Sequence, residues 1–342
     1  MRAVVCTHLG DPTLPLGAGP LCIKEHSPVT IVDKGHVRIR VKAASLNFPD
    51  ALQVQGKYQV KPPLPFVPGS EVSGTIVELG PGVEKFKLGD RVCAISQNGA
   101  FVEDVVVHEN MAWGVPDGIE LEVACCVPVV YGTSQLALAH RAQLKKGQVL
   151  LVLGAGGGVG VAACQIGKIM GAKVIAVVNG KEKVEFLQTL GVDHVFDASQ
   201  YSPAAQPLHQ AIKATVRQGV DVVFDPVGGS LFEEALKCTA PWGAHYLVIG
   251  FASGGIPKVP ANLALVKNLT VHGVFWGSYL QNEPKVLMKG MNTVLSWLAE
   301  GKIELKVSHR FLMEDVDKAF KAVLGRKVMG KAILVMETQS RL

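Results

Sequence analysis

The sequence predicts an α/β protein, a doubly wound parallel sheet inserted into the sequence of a β-rich domain. Three observations carry this reading. Val149-Leu150-Leu151-Val152-Leu153 is apolar without alternation, as a parallel strand buried on both faces requires. From about residue 130 to 277, strand and helix patterns alternate. On either side of that stretch the chain turns to short strands separated by turn residues. The expected division is therefore 1–130 with 278–342 as one β-rich domain, and 131–277 as the doubly wound one. A length of 342 residues accommodates two domains, and a hydrophobic content of 48% is enough to fill both cores.

The elements follow in order. Met1-Arg2-Ala3-Val4-Val5-Cys6 leads straight into a strand, with no leader peptide to be read ahead of it. Val37, Ile39 and Val41 alternate with Arg38, Arg40 and Lys42, which predicts a half-buried strand. Pro62-Pro63-Leu64-Pro65 excludes helix and predicts an extended loop. Further strands are expected at 72–77, 92–95 and 101–107. In the central stretch, strands are expected at 173–178, 194–196, 220–224, 246–249 and 269–274. Helices are expected over 181–190, stopped by Gly191, and through Leu208, Ile212 and Val216. Near the end, Leu287, Met291, Leu295 and Leu298 share a helical face. A strand at 304–311, a helix through Val316, Phe320 and Val323, and a strand at 332–336 complete the chain.

The organising stretch is the strand 149–153 with the residues that follow it, Gly154-Ala155-Gly156-Gly157-Gly158-Val159-Gly160. Ala155-x-Gly157-x-x-Gly160 is the dinucleotide fingerprint with alanine at its first glycine position. It lies between a strand and a helix whose sheet-facing residues are small (Ala162, Ala163, Gly167). In that context Gly157 lets backbone reach a pyrophosphate, Gly160 lets helix and strand pack closely, and the phosphates rest on helix N-terminal N–H groups.

Other classes of function fit poorly. The net charge of +5 is spread along the chain, without the basic stripe of a nucleic-acid binder. No apolar run reaches about eighteen residues, so no membrane span is expected. The seven cysteines contain no C-x-x-C pair, and they read as buried thiols in a reducing compartment. The histidines have no metal-ligand spacing, and no G-x-S-x-G elbow is present.

Ala44-Ser45-Leu46-Asn47-Phe48-Pro49-Asp50, Pro68-Gly69-Ser70-Glu71-Val72-Ser73-Gly74 and Lys87-Leu88-Gly89-Asp90-Arg91-Val92 come in a recognisable order. With the glycine loop, Asp225-Pro226-Val227-Gly228-Gly229 and Gly330-Lys331-Ala332, they make the chain resemble the medium-chain dehydrogenase/reductase superfamily over nearly its whole length. Within it the chain is similar to the quinone oxidoreductases, and Gln55-Gly56-Lys57-Tyr58 and Phe275-Trp276-Gly277-Ser278-Tyr279 carry the finer match. The resemblance implies a GroES-like domain plus a Rossmann domain, a homodimer, and an active site in the interdomain cleft.

It also implies roles for single residues. Zinc-dependent alcohol dehydrogenases of the superfamily hold their catalytic metal at positions matching Asn47, Ser70 and Val129. Valine has no ligating atom, and the other two are weak donors for zinc. The structural zinc lobe needs four cysteines between the strands near Val92 and Phe101, where Cys93 is the sole thiol. A zinc-free site is expected. Asn47 is expected at the nicotinamide ribose or the substrate, or else in a loop-stabilising Asx interaction. Asp50 is expected to be structural. Tyr58 matches a pocket tyrosine and reads as a donor to a substrate oxygen or as a rim residue, with Leu52 at the family's neighbouring aromatic position. Thr133 reads as a contact near the nicotinamide, as a helix N-cap, or as both.

The expected cofactor is NADPH. An NAD-binding sheet places an acid about 20 residues past the glycines, whereas Val177-Val178-Asn179-Gly180 stand there and Lys181, Glu182 and Lys183 follow. By resemblance Lys183 and Arg326 contact the 2′-phosphate; the alternative is that these lysines are a solvated helix face. The tyrosine that completes the family's clamp is Ala198 here. Gly156, Gly157, Gly158, Val159, Gly160 and Asn179 are expected to line the cofactor, and Gly250, Phe251, Phe275 and Trp276 to wall its nicotinamide end.

The expected activity is NADPH-dependent reduction of quinones. Reduction of enone or alkenal double bonds, and catalytically silent NADPH binding, are the alternatives. The terminal Ser340-Arg341-Leu342 resembles the Ser-Lys-Leu peroxisomal address, so the peroxisomal import receptor is an expected partner, with a cytoplasmic enzyme as the alternative.

Overall fold

A computed structural model describes residues 1–25, 33–96, 98–202 and 205–336, so the terminal tripeptide lies outside the described residues. The chain forms two compact units, Met1–Val129 with Glu304–Leu342, and Val130–Ile303. No helix among the described residues is long and apolar enough to cross a membrane.

The first unit begins with strands β1 (Arg2–Cys6), β2 (Leu21–Glu25), β3 (His36–Ser45), β4 (Glu71–Leu79), β5 (Arg91–Ile95), β6 (Asp104–His108) and β7 (Ala112–Gly114). In β3 the predicted alternation is real: Val37, Ile39 and Val41 are buried, while Arg40 and Lys42 face solvent. β6 starts three residues later than its apolar run suggests. Phe101 N–H donates to Pro68 O and its carbonyl accepts from Val4, so that segment is tied to a loop and to β1 before it can join the ladder.

The second unit carries β8 (Val149–Leu153), β9 (Lys173–Val178), β10 (His194–Asp197), β11 (Val222–Asp225), β12 (His245–Val248) and β13 (Thr270–Gly273). They form one parallel sheet in the order β10-β9-β8-β11-β12-β13. This is the doubly wound order, and it reverses between β8 and β11, the point at whose carboxyl ends open sheets of this kind take a ligand. All five residues of β8 are buried, as its unbroken apolar run requires.

The chain then returns to the first unit with β14 (Val307–Leu312) and β15 (Lys331–Val335). β15 enters that unit's sheet antiparallel to β3, pairing Ile333 with Ser45 and Val335 with Ala43. The return falls at Glu304, later than the 278 read from the sequence. The helix Pro284–Ala299 explains the difference, because it belongs to the second unit. A Cβ on its Gly290 would meet Gln135 Oε1 at 2.4 Å, and Tyr279 just before it accepts a hydrogen bond from Arg141 at 3.2 Å. Its buried face is Leu287, Met291, Val294 and Leu298; Leu295 is only partly covered.

Candidate active site

In the second unit this point is flanked by two loops. β8 ends at Gly154, whose φ of +58° is a left-handed conformation that favours glycine. A Cβ there would also come within 2.7 Å of Val227 Cγ2, from the loop after β11. That loop is pinned by Asp225, which accepts the N–H groups of Val227 and Gly228 and the Tyr246 hydroxyl, each at 2.8 Å. Burial pushes the Asp225 carboxyl above its usual range despite those donors. The helix Gly158–Ile169 starts from Gly157 as its cap. Gly160 lies against the strand end so closely that a Cβ would be 2.6 Å from Ala155 Cα. The N–H groups of Gly158, Val159 and Gly160 stand in the helix's first turn, where backbone donors have no intrahelical acceptor and favour an anion.

Lys183 stands in the first turn of the helix Lys181–Thr189, and its Cδ would be 3.1 Å from a Cβ on Gly156, so its stem reaches over the glycine loop. Asn179 is exposed at the end of β9. The carboxylate that the sheet brings alongside is Asp197, in register with Val178. Its Oδ1 is engaged by Gly180 N–H and Ser199 N–H at 3.0 Å and by the Ser199 hydroxyl at 2.7 Å. These donors hold it below the usual carboxylate range. Gly250 and Phe251 follow β12, and the Phe251 ring lies 3.2 Å from the Cβ position of Gly228.

Trp276 is buried, its indole packed over Gly132, whereas Phe275 is half exposed. Thr133 is buried in the body of the helix Pro128–Gln135, which excludes the N-cap reading. Next to it, the Ser134 hydroxyl donates to Val159 O at 2.9 Å, tying that helix to the glycine helix.

In the first unit, Asn47 heads the helix Phe48–Val54 and its side chain joins a buried network. Asn47 Nδ2 donates to Glu71 Oε1 at 2.9 Å, and Asn47 Oδ1 accepts from Lys331 Nζ at 2.7 Å. The same ammonium donates to Leu46 O at 2.7 Å and lies 3.3 Å from Glu71. Glu71, with no exposed surface, also accepts the Ser45 hydroxyl at 2.6 Å and the Val129 N–H at 2.8 Å. Asn47 thus closes a capping box with Asp50 at the head of its helix and also carries long-range bonds to Glu71 and Lys331.

Asp50, equally buried, accepts Asn47 N–H at 2.7 Å and the Ser70 hydroxyl at 2.6 Å. Burial outweighs these donors and pushes its carboxyl up to about 6. Tyr58 is partly buried; its own burial and then the charge of Asp50 raise its hydroxyl above the ordinary phenol range. Arg326 is exposed in the turn after the helix Val316–Leu324, with a φ of +56°.

Asn47, Ser70 and Val129 thus each donate to a buried carboxylate. Glu71 and Lys331 were missed as site residues from the sequence. Their signals were an acid inside Pro68-Gly69-Ser70-Glu71 and a lysine heading the otherwise apolar strand Lys331-Ala332-Ile333-Leu334-Val335. Among the described residues, no three His, Cys, Asp or Glu side chains gather as a metal site. The thiols are spread through the structure: Cys93, Cys164 and Cys238 are buried and pushed up to about 12.

A doubly wound sheet with an anion-binding glycine loop, joined in one chain to a β-rich domain, defines the class as a dinucleotide-dependent oxidoreductase. The comparisons agree. The alcohol dehydrogenase GroES-like domain matches residues 33–117, and the zinc-binding dehydrogenase domain matches 158–293. Quinone oxidoreductase-like protein 2 of Rattus norvegicus is 37% identical over 338 residues, covering 98% of this chain and 92% of the relative. A solved structure of a probable oxidoreductase from Mycobacterium abscessus superposes with a TM-score of 0.85 at 34% identity, over 98% of both chains. Escherichia coli quinone oxidoreductase, solved with NADPH, gives 0.86 at 25% identity, over 98% of this chain and 100% of that one. The chain belongs to the quinone oxidoreductase family of the medium-chain dehydrogenase/reductase superfamily.

Proposed function

We propose that the protein is an NADPH-dependent, zinc-independent reductase of quinones. The observation that carries this reading is the use already made of the family's metal positions. Val129 offers only a backbone N–H, and the Asn47 amide and Ser70 hydroxyl already donate to Glu71 and Asp50. Such a donor set suits a hydrogen-bonded acceptor and not a Lewis acid.

The residues present fit the cofactor. The backbone of Gly156, Gly157, Gly158, Val159 and Gly160 would hold the pyrophosphate, and Lys183 would meet the 2′-phosphate beside Asn179. Arg326 is proposed as a further phosphate contact on the resemblance. Trp276, Phe275, Gly250 and Phe251 would wall the nicotinamide, with Thr133 positioning the ring. NADPH supplies the hydride when bound. Quinones need little further help, because conjugation disperses the charge that hydride addition leaves. The chain then has to orient the acceptor, exclude water and offer hydrogen bonds. Tyr58 supports such a bond through its hydroxyl, and Asn47 through the N–H it has left.

The test is NADPH consumption with ortho- and para-quinones. Turnover unchanged by chelators, absent with simple alcohols and weaker with NADH supports the reading. Turnover of enals alone would transfer it to double-bond reduction, and NADPH binding without any turnover to a binding protein.

We also propose a homodimer. The support is β13, the last strand of its sheet, with Val271 exposed on it and Leu265 and Val266 exposed on the preceding helix Ala261–Lys267. An open strand edge pairs with its own copy about a two-fold axis. A peroxisomal address at Ser340-Arg341-Leu342 is proposed on the tripeptide's likeness to Ser-Lys-Leu. A fluorescent fusion bearing the tripeptide should become punctate and stay diffuse when the tripeptide is removed.

A further inference from the structure

Adding a hydride to a quinone or an enone leaves an oxyanion, and the neutral product needs one proton as well. Neither Tyr58, whose hydroxyl is held above the phenol range, nor Asn47, an amide, supplies a proton readily near neutral pH. Asp50 and Ser70 form a pair that the reading above does not use. Asp50 is wholly buried at the head of the helix Phe48–Val54, with Oδ2 fixed by the Asn47 N–H at 2.7 Å. Its Oδ1 meets the Ser70 hydroxyl at 2.6 Å, and Ser70, just ahead of β4, is partly exposed. Ser70, a partly exposed residue, is thus bonded to a carboxyl with no exposed surface.

We propose that Ser70 and Asp50 are a proton-delivery pair, Ser70 being the group that touches the acceptor oxygen and Asp50 the proton source behind it. This inference rests on the reductase reading. A hydroxyl accepts and donates at once. With Asp50 protonated, its O–H points to Ser70 Oγ and the serine hydrogen is free to turn outward. The acceptor gains two electrons and one hydrogen as hydride. Its oxygen then takes the serine proton, the Asp50 proton moves to Ser70 Oγ, and Asp50 is left as a carboxylate that regains a proton through the Ser70 hydroxyl, which takes one from water in turn. The charges facing Asp50 come from several elements. Lys331 of β15 favours the carboxylate, as do the Ser70 and Asn47 donors, while burial and Glu71 of β4 oppose it; Tyr58 senses the result. The balance, a carboxyl at about 6, suits a general acid working near neutral pH.

The test combines single-turnover reduction of para-benzoquinone by the full chain with carbon-13 NMR titration of the Asp50 carboxyl in the ligand-free protein. Ser70→Ala and Asp50→Asn should each slow the single turnover about 100-fold with NADPH affinity unchanged, and Ser70→Thr should restore most of the rate. In the wild type the rate should fall tenfold per pH unit above about 6, and in Asp50→Asn it should be flat. In Ser70→Ala the carboxyl loses a donor that favours its charged form, so its titration should move upward. Equal rates in wild type and Ser70→Ala, or an Asp50 carboxyl titrating with ordinary aspartates, would overturn the pair. A wild type that reduces no quinone or enone defeats the reductase reading instead. The titration then tests the Ser70–Asp50 bond by itself, and a midpoint that does not move in Ser70→Ala overturns the pair.

Discussion

At the scale of single residues, the lysine at the head of β15 sets the tone of the first unit. An ammonium with 5% exposure persists only where its protons are all spoken for, and Lys331 has Leu46 O, Asn47 Oδ1 and Glu71 around it. Removing one partner of a buried pair leaves the other charge stranded, at a cost of about 3–5 kcal/mol. Lys331→Met should therefore lose stability of that order in urea unfolding, and adding Glu71→Gln should recover part of it. A double variant no better than the single one would show that the pair is not coupled. Asp50 behaves in the opposite sense. Its folded pKa, about 6, lies above the ordinary 3.8, so the native state holds the proton more tightly than the unfolded chain. The resulting stability is present in full below the ordinary value and is lost as pH rises through about 6. The difference is on the order of 3 kcal/mol. Asp50→Asn should remove this loss, so that the unfolding free energies of wild type and variant diverge between pH 4 and pH 7 with the wild type falling. Parallel curves would refute the assignment.

At the scale of elements, the glycine helix and β8 act as one piece. A Cβ on Gly160 would meet backbone atoms of Ala155 and Gly154, which no rotamer change can relieve. Gly160→Ala should push the helix N-terminus off the strand end, costing about 1–3 kcal/mol. Because the first-turn N–H groups move with it, NADPH affinity measured by fluorescence titration should drop at least about tenfold, from displaced phosphate hydrogen bonds. Unchanged affinity would mean that the loop absorbs the methyl. The fold of this region was legible in the sequence because its signals are local. An unbroken apolar run, a glycine at a left-handed turn and small residues against a sheet each follow from the residues themselves. The start of β6 was not legible, since the bonds of Phe101 to Val4 and Pro68 come from distant segments.

At the scale of the whole molecule, the open question is association. On the second unit β13 is an edge strand, and Leu265 and Val266 of the helix before it are 77% and 66% exposed. Placing a charge there blunts the edge for pairing. Val271→Asp should shift the protein from dimer to monomer in light scattering while the far-ultraviolet circular dichroism stays the same. A wild type that is monomeric at micromolar concentration would remove the proposal. The return of the chain at Glu304 also belongs to this scale. The face Leu287, Met291, Val294 and Leu298 predicts an amphipathic helix, but periodicity does not say which core receives that face.

The sequence by itself determined the doubly wound sheet, the glycine loop, the want of an acid at the end of β9 and the family. All of these rest on residue type and short spacing. The tertiary structure decided which polar groups meet. Lys331 reaches Asn47 across 284 residues because β15 pairs with β3, and Asp197 comes to Gly180 because β10 lies in register beside β9. Asp50 finds Ser70 across a proline-rich loop whose path no periodicity encodes. The physical reason is one of range. Backbone propensity and hydrophobic period act over a few residues, whereas the charge state of a buried group depends on partners that strand pairing brings from anywhere in the chain.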